Sequence, residues 1–172
     1  GMPVAAYEGL RAPGSAHMST MPKTPIAAQA GVRVCEERHS LSDEQLDAVR
    51  ALFEGCALLV FVSSEQLAIA GTISGCGPAF ACMMVEALAD AGVKHGLQRS
   101  PAYQLAAGML TGTGALLLQT GEHPAVLKDA VCSPKGTQLN GVEAVEEHGM
   151  PPAPTAAVDE DKSLPAHKTT QK

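Results

Sequence analysis

Apolar and polar residues in the first part of the chain follow the pattern of a strand, a helix and a second strand. Gly31–Val34 alternates weakly, and Ala57–Val62 is a continuous apolar run typical of a strand buried on both faces. Ser42 and Gln45 fit a capping box at the start of the helix, and Gly55 fits its end. Between these caps, four apolar residues recur at helical spacing: Leu46, Val49, Leu52 and Phe53. We expect one crossover unit of an α/β layer.

Beyond Ser64 the pattern changes to helices that are rich in small residues. It predicts a short helix over Gln66–Ile73, a break at Gly75–Pro78, and a new helix that opens with Pro78 at its first position and ends at Gly96. Three further helices follow: one from Ser100–Pro101 to about Thr120, a short one from His123–Pro124, and one from Thr137 to about His148.

The two ends of the chain differ in composition from its middle. Residues 1–20 contain prolines and glycines without a clear hydrophobic period, and residues 150–172 combine several prolines with scattered charges. We expect both segments to be disordered. The rest divides into a partial α/β segment, residues 21–64, and a helical domain, residues 65–149, so the predicted fold class is mainly α.

Composition narrows the classes of partner and compartment. The net charge of −6 argues against nucleic acid or an anionic membrane surface as the main partner. The five cysteines form no CxxC pair, which indicates reduced thiols and a cytoplasmic protein. The longest nearly apolar stretches, Ala57–Val62 and Leu105–Leu118, are too short or too rich in Gly and Thr to span a bilayer.

Neither a nucleotide fingerprint nor a metal site is evident from residue spacing. The pairs Gly75–Gly77 and Gly112–Gly114 lack the third glycine of a dinucleotide site, and neither follows a predicted strand. They are typical of helix punctuation. The histidines at 39, 95, 123 and 148 have no ligand spacing. Gly108 and Gly112 stand one helical turn apart and predict close packing of two helices, either within the chain or between subunits.

The segment Leu127–Glu147 contains the most specific chemistry. It predicts a short helix, a Ser-Pro-Lys-Gly turn and the start of a second helix. The first N–H groups of a helix lack partners within it, so a turn at this place can direct backbone donors towards an anion.

This segment also resembles the signature of the pyrroline-5-carboxylate reductase family, Lys-Asp-x-Val-Ser-Ser-Pro-Gly-Gly-Thr-Thr-Ile. Three other segments are similar to family motifs, in order. Met21–Ala27 resembles the motif that closes the nucleotide domain, Ile73–Phe80 the Ser-Gly-Ser-Gly-Pro motif that opens the helical dimer domain, and Glu86–Leu97 the helix that follows it.

The resemblance implies reduction of 1-pyrroline-5-carboxylate to L-proline with NADPH or NADH, and helices that interleave with a second subunit. It assigns Ser133, Gly136 and Thr137, with the adjoining Pro134, to the turn whose amides hold the substrate carboxylate. The family threonine that hydrogen-bonds the ring nitrogen corresponds to Gln138. Cofactor contacts would involve the first motif, at Thr24 and Pro25.

Departures from the family pattern cluster where substrate and cofactor would bind. Gln138 cannot relay a proton as a hydroxyl does, and Lys135 replaces a glycine, which suggests that a positive φ is no longer easily reached. From the resemblance we also expect that most of the Rossmann domain is absent from this chain and that a Pro-rich tail replaces the final helix of the dimer domain.

Two functional hypotheses remain open. The chain is either a truncated reductase or a non-catalytic helical dimerisation domain that pairs with a full-length reductase. In both cases we expect a homodimer, a higher oligomer or a complex with the reductase, because a swapped helical domain leaves apolar faces uncovered in a monomer.

Overall fold

A computed structural model of the chain describes residues 3–10, 12, 14–21, 28–150 and 152–163. It is mainly helical, with a small sheet near the N-terminus, as the sequence predicted. The chain divides into two compact units, Gly1–Pro78 with Glu160–Lys172, and Ala79–Asp159.

The first unit contains the predicted strand–helix–strand element. Strands β1 (Thr20–Met21), β2 (Gly31–Glu36) and β3 (Ala57–Val62) form a sheet in the order β1-β2-β3. Strand β1 is antiparallel to β2, and β2 is parallel to β3 in a register that sets Gly31 opposite Ala57. Helix α1 (Asp43–Phe53) makes the crossover between β2 and β3. The predicted crossover unit is therefore confirmed.

The ends of α1 follow the local sequence. The Gln45 backbone N–H donates to Ser42 Oγ at 3.3 Å, and the Ser42 N–H donates to Gln45 Oε1 at 3.0 Å, which is the reciprocal capping box. Gly55 follows the helix with φ +74°, a left-handed conformation that glycine adopts without steric strain.

The expectation that β3 is buried on both faces is wrong. Its side chains are half-buried, apart from Leu58, which is 44% exposed. Strand β3 lies at the edge of the described sheet, with β2 as its one neighbour. The core of this unit instead forms around Met21, Val34 and Leu67.

The leader differs from the disordered segment that the sequence suggested. Val4–Leu10 forms a 3-10 helix, and the Val4 side chain is buried. The Val4 backbone N–H donates to Glu36 Oε2 at 2.6 Å, and the Ser64 hydroxyl donates to the other oxygen of the same carboxylate. Glu36 is completely buried, so it requires such donors. This contact anchors the leader. Local sequence patterns could not predict it, because Val4 and Glu36 are 32 residues apart.

The predicted break at Gly75–Pro78 is also wrong. Helix α2 runs without interruption over Leu67–Lys94, with Pro78 inside it. An internal proline removes one backbone hydrogen bond and crowds the carbonyl four residues earlier, here that of Ser74. Helix formation is cooperative, and long helical segments on both sides of Pro78 support continuity. The two small glycines beside the proline add no side-chain crowding.

The second unit begins within α2 and continues through α3 (Arg99–Thr120). At the connection, a Cβ added to Gly92 would lie 3.1 Å from Leu97 Cδ1 and 3.4 Å from Ala102 Cβ, so close packing requires this glycine. Arg99 donates a hydrogen bond to Asp90, which raises the pKa of Arg99. Helix α3 begins one residue before the predicted Ser100, after Gln98.

Three shorter helices complete the fold: α4 (Pro124–Val131), α5 (Gln138–Glu147) and α6 (Pro152–Ser163). Helix α4 begins at Pro124, as predicted, and His123 caps it because its Nδ1 accepts the Ala125 N–H at 3.2 Å. Gly149 follows α5 with φ +77°.

Helix α6 contradicts the expectation of a disordered tail over its described part. Its prolines lie in the first turn, where no intrahelical donor is lost. Within the first unit, Asp161 Oδ2 accepts the Thr72 hydroxyl at 2.8 Å and Oδ1 accepts the Cys76 thiol at 3.4 Å. These bonds attach the end of α6 to α2.

Candidate functional site

The connection between α4 and α5 is a closed four-residue turn, Ser133–Gly136. The Gly136 N–H donates to the Ser133 carbonyl at 2.9 Å, with Pro134 in the second position and a left-handed residue, Lys135, in the third. This arrangement is typical of a type II turn. The predicted helix–turn–helix is therefore present.

Lys135 corrects the expectation that a positive φ would not easily be reached. Its φ is +62°, although a residue with a Cβ is disfavoured there by about 1–2 kcal/mol. The fixed ring of Pro134 and the hydrogen bond that closes the turn over-determine this conformation. The backbone geometry of the turn thus forms without the glycine of the family motif.

Gly136 has almost no free space around its Cα. A Cβ added there would lie 2.2 Å from Gln138 Oε1, 2.6 Å from Ser133 Oγ and 3.0 Å from the Ser133 carbonyl oxygen. The turn therefore brings Ser133, Gly136 and Gln138 together in space. The sequence could order these residues along the chain but could not orient the Gln138 side chain.

The start of α5 provides backbone donors next to this turn. Thr137 is the N-cap residue, has helical φ and ψ, and makes no side-chain cap hydrogen bond. The first N–H groups of a helix have no intrahelical acceptor and lie at the positive end of its dipole. Ser133, Thr137 and Gln138 are exposed. The arrangement can accept an anionic group without moving a core element.

The remaining predicted site residues, Thr24 and Pro25, lie outside the residues that the structure describes. Of the motif Met21–Ala27, residues 22–27 also lie outside the described residues. In the described ranges, no group of three or more His, Cys, Asp or Glu side chains could hold a metal ion.

Sequence reasoning missed the buried carboxylate of Glu36. In the sequence, a single glutamate at the end of a short strand cannot be distinguished from a surface glutamate. The one feature that could have indicated its burial is its charged side chain next to the apolar residues of β2. Its neighbour Cys35 is also buried, and this burial raises the pKa of its thiol above the usual range. Cys35 is therefore a packed side chain of the core, with the properties of a buried structural cysteine.

The glycines of α3 have open space beside them. A Cβ added to Gly108 or Gly112 would meet no atom within 4 Å among the described residues. Three large apolar residues share their helical face and remain exposed: Leu105 (61%), Met109 (47%) and Leu116 (47%). Of the two alternatives for these glycines, the contact within the chain is not observed in the described structure.

Helix α2 is the one helix in the described ranges that is long and apolar enough to cross a membrane, judged by length and composition alone. The sequence-based expectation considered shorter stretches, because it divided this helix at Pro78.

Comparison with known proteins gives a consistent picture. Residues 64–163 match the family described as pyrroline-5-carboxylate reductase dimerisation. The chain is 48% identical over 154 residues to the pyrroline-5-carboxylate reductase of Treponema pallidum, and 35% identical over 130 residues to that of Escherichia coli. These matches cover 87% and 76% of the chain.

Solved structures agree with these matches. The chain superposes on a pyrroline-5-carboxylate reductase from Coxiella burnetii with a TM-score of 0.80 at 27% identity, covering 95% of this chain and 62% of that chain. For the Plasmodium falciparum pyrroline carboxylate reductase with NADP bound, the TM-score is 0.74 at 25% identity, with coverages of 92% and 64%.

The matches also define the extent of the similarity. The chain spans 59% of the Treponema pallidum reductase and 48% of the Escherichia coli enzyme. The matched dimerisation region extends to residue 163, the last residue of α6. The expectation that a Pro-rich tail replaces the final helix is therefore wrong, since a helix occupies this region.

Proposed function

The chain belongs to the pyrroline-5-carboxylate reductase family, and from this premise we propose that it is the dimerisation and substrate-binding part of such a reductase. The reaction is reduction of 1-pyrroline-5-carboxylate to L-proline with NADPH or NADH. The observation that carries the proposal is the closed turn before α5, which places the motif residues Ser133, Gly136 and Thr137 next to the first backbone N–H groups of the helix, and these have no intrahelical acceptor.

The chemistry of the turn suits a carboxylate. Backbone N–H groups at the start of α5 and the Ser133 hydroxyl donate hydrogen bonds, and the helix dipole favours a negative charge at this end. Hydrogen bonds from such donors to an ionised group are about twice as strong as neutral ones. In the proposed complex they hold the substrate carboxylate, with the ring nitrogen near residue 138.

The described residues do not fit the pyrophosphate of a dinucleotide. Neither strand-to-helix connection, residues 37–42 after β2 or 63–66 after β3, contains a glycine, whereas a close backbone approach to pyrophosphate requires glycines. NADPH or NADH supplies the hydride in this family, and we place its binding on a separate nucleotide-binding part. Thr24 and Pro25 remain proposed contacts at the margin of that part.

We propose that a second copy of the chain covers the exposed face of α3 formed by Leu105, Gly108, Met109, Gly112 and Leu116. The residues are apolar or small, lie at helical spacing, and belong to the region matched by the family's dimerisation domain. Association between subunits also accounts for the apolar character of α2. A cytoplasmic location accords with the reduced cysteines and the acidic charge.

A chimera provides the direct test of the proposed activity. Residues 64–163 replace the corresponding region of the Treponema pallidum reductase, and oxidation of NADPH and NADH is followed with 1-pyrroline-5-carboxylate. We expect measurable turnover that rises with Gln138→Thr, because a hydroxyl restores the proton relay. An inactive but folded dimer of the Gln138→Thr chimera, beside an active parent enzyme, contradicts the proposal. We expect no turnover from the chain alone.

The second candidate is a non-catalytic partner of a full-length reductase, and Gln138 favours it because a carboxamide replaces the hydroxyl. Under this alternative the chain forms a mixed dimer with a full-length reductase, and Gln138→Thr leaves the chimera inactive. Mass photometry of the two proteins mixed at equal concentration measures the mixed dimer directly.

A further inference from the structure

We propose that the Gln138 side chain is a built-in occupant of the carboxylate site, so that residue 138 sets the affinity of the turn for carboxylate ligands. The inference rests on the proposed function, because it concerns the same turn. It goes beyond the absence of a hydroxyl at this position, since it assigns to the glutamine a competitive contact of its own.

The Gln138 side chain folds back over the turn. Gln138 lies two residues after Gly136, yet its Oε1 reaches back to within 2.2 Å of the point where a Gly136 Cβ would stand. Ser133 Oγ lies 2.6 Å from the same point. The carboxamide oxygen therefore lies over the glycine of the turn and next to the Ser133 hydroxyl, one of the donors of the proposed carboxylate site.

The chemistry of the group supports competition. A carboxamide oxygen accepts hydrogen bonds with two lone pairs, as each carboxylate oxygen does, but it carries no full charge. The carboxamide oxygen over the turn is therefore a weaker hydrogen-bond acceptor than a substrate carboxylate in the same place would be. Binding of the ligand then requires the Gln138 side chain to rotate away, and the apparent affinity falls by the fraction of molecules in which the site is open.

This mechanism separates two effects of residue 138. Loss of the hydroxyl lowers the rate of the chemical step, whereas occupation of the turn lowers the affinity for carboxylate. Gln138 is exposed, so it can rotate into solvent without disturbing the core. If the side chain leaves the turn open in about 10–20% of molecules, the apparent dissociation constant rises by about fivefold to tenfold.

The test is NMR titration of the full chain with L-proline, which carries the carboxylate, and with pyrrolidine, which does not. We expect Gln138→Ala and Gln138→Thr to bind L-proline about fivefold to tenfold more tightly than the unaltered chain. Asn140→Ala, an exposed residue in the first turn of the same helix, is the matched control and leaves the L-proline affinity unchanged. Pyrrolidine binding responds to none of these substitutions.

A second readout observes the contact itself. Without ligand, a nuclear Overhauser effect is expected between the Gln138 side-chain amide protons and the Gly136 α-protons, and it weakens as L-proline is added. Equal L-proline affinity of the unaltered chain and Gln138→Ala, or a missing Overhauser effect, overturns this inference alone. Absence of L-proline binding to every folded variant overturns the proposed function as well.

Discussion

At the scale of single residues, Glu36 shows how much one buried group determines. Its carboxylate is completely buried and receives two hydrogen bonds, one from the Val4 backbone N–H and one from the Ser64 hydroxyl. A buried carboxylate is tolerated only when donors compensate for the lost water. At the end of β2, the Glu36 carboxylate thus holds the leader, through Val4, and the residue Ser64 that follows β3.

Replacement of this carboxylate should destabilise the chain. In Glu36→Gln, the carboxamide oxygen still accepts the Val4 N–H and the Ser64 hydroxyl can turn to accept from the NH₂ group, so both charge-assisted hydrogen bonds become weaker neutral ones. We therefore expect the free energy of unfolding to fall by about 1 kcal/mol. Urea denaturation measures this difference. Glu37→Gln is the matched control, because its exposed neighbouring side chain has the same chemistry, and it should change stability by less than about 0.5 kcal/mol. Equal effects of the two substitutions would contradict the anchoring role.

Replacement of Lys135 by glycine should increase the stability of the chain. Because its φ of +62° is unfavourable for a residue with a Cβ, Lys135→Gly should raise the free energy of unfolding by about 1 kcal/mol, less the entropy that glycine adds to the unfolded chain. Thermal unfolding followed by circular dichroism tests this. Lys135→Ala keeps the Cβ and should give no gain, so a gain of the same size in both variants would refute the strain argument.

At the scale of secondary-structure elements, local signals predicted the ends of helices better than their continuity. The Ser42 capping box, the start of α4 at Pro124 and the glycine that ends α1 all formed as expected, because each depends on residues within one turn of the helix. The division of α2 at Pro78 was wrong, because the balance between one lost hydrogen bond and two long cooperative segments is not local.

The attachment of α6 depends on a contact that no local pattern contains. Asp161 accepts hydrogen bonds from Thr72 and Cys76, which precede it by 89 and 85 residues. Asp161→Ala should therefore loosen the end of α6 and accelerate modification of the Cys76 thiol by a disulfide reagent by about fivefold. Asp159→Ala, an exposed residue on the same helix, is the control. An unchanged rate of Cys76 modification in Asp161→Ala would exclude this attachment.

At the scale of the whole molecule, the exposed face of α3 around Gly108 and Gly112 is the surface on which we expect the chain to associate. The low aromatic content and the many small residues allow helix backbones to approach closely, and Gly108 and Gly112 meet no neighbour within the described part of the chain. The large apolar residues beside them are exposed and contact water unless a second copy of the chain covers them.

Filling this face should prevent association without harming the helix. Gly112→Leu adds a side chain where no atom of the described residues lies within 4 Å of an added Cβ, and it raises helix propensity. We therefore expect an unchanged helical circular dichroism signal but loss of the oligomer in light scattering. Gly114→Leu, on another side of the same helix and with the same open space among the described residues, is the matched control and should retain the oligomer. Dissociation of both variants to the same degree would contradict the assignment to this face.

Sequence motifs were sufficient to identify the family, the crossover unit, the helix caps and the order of residues in the turn before α5, because motifs and caps depend on near neighbours. The binding of the leader to Glu36, the attachment of α6 to α2 and the position of the Gln138 side chain followed from the folded structure alone. These features bring together residues far apart in the chain, or select one rotamer among several, and their free energies depend on burial and on donors that exist only after folding.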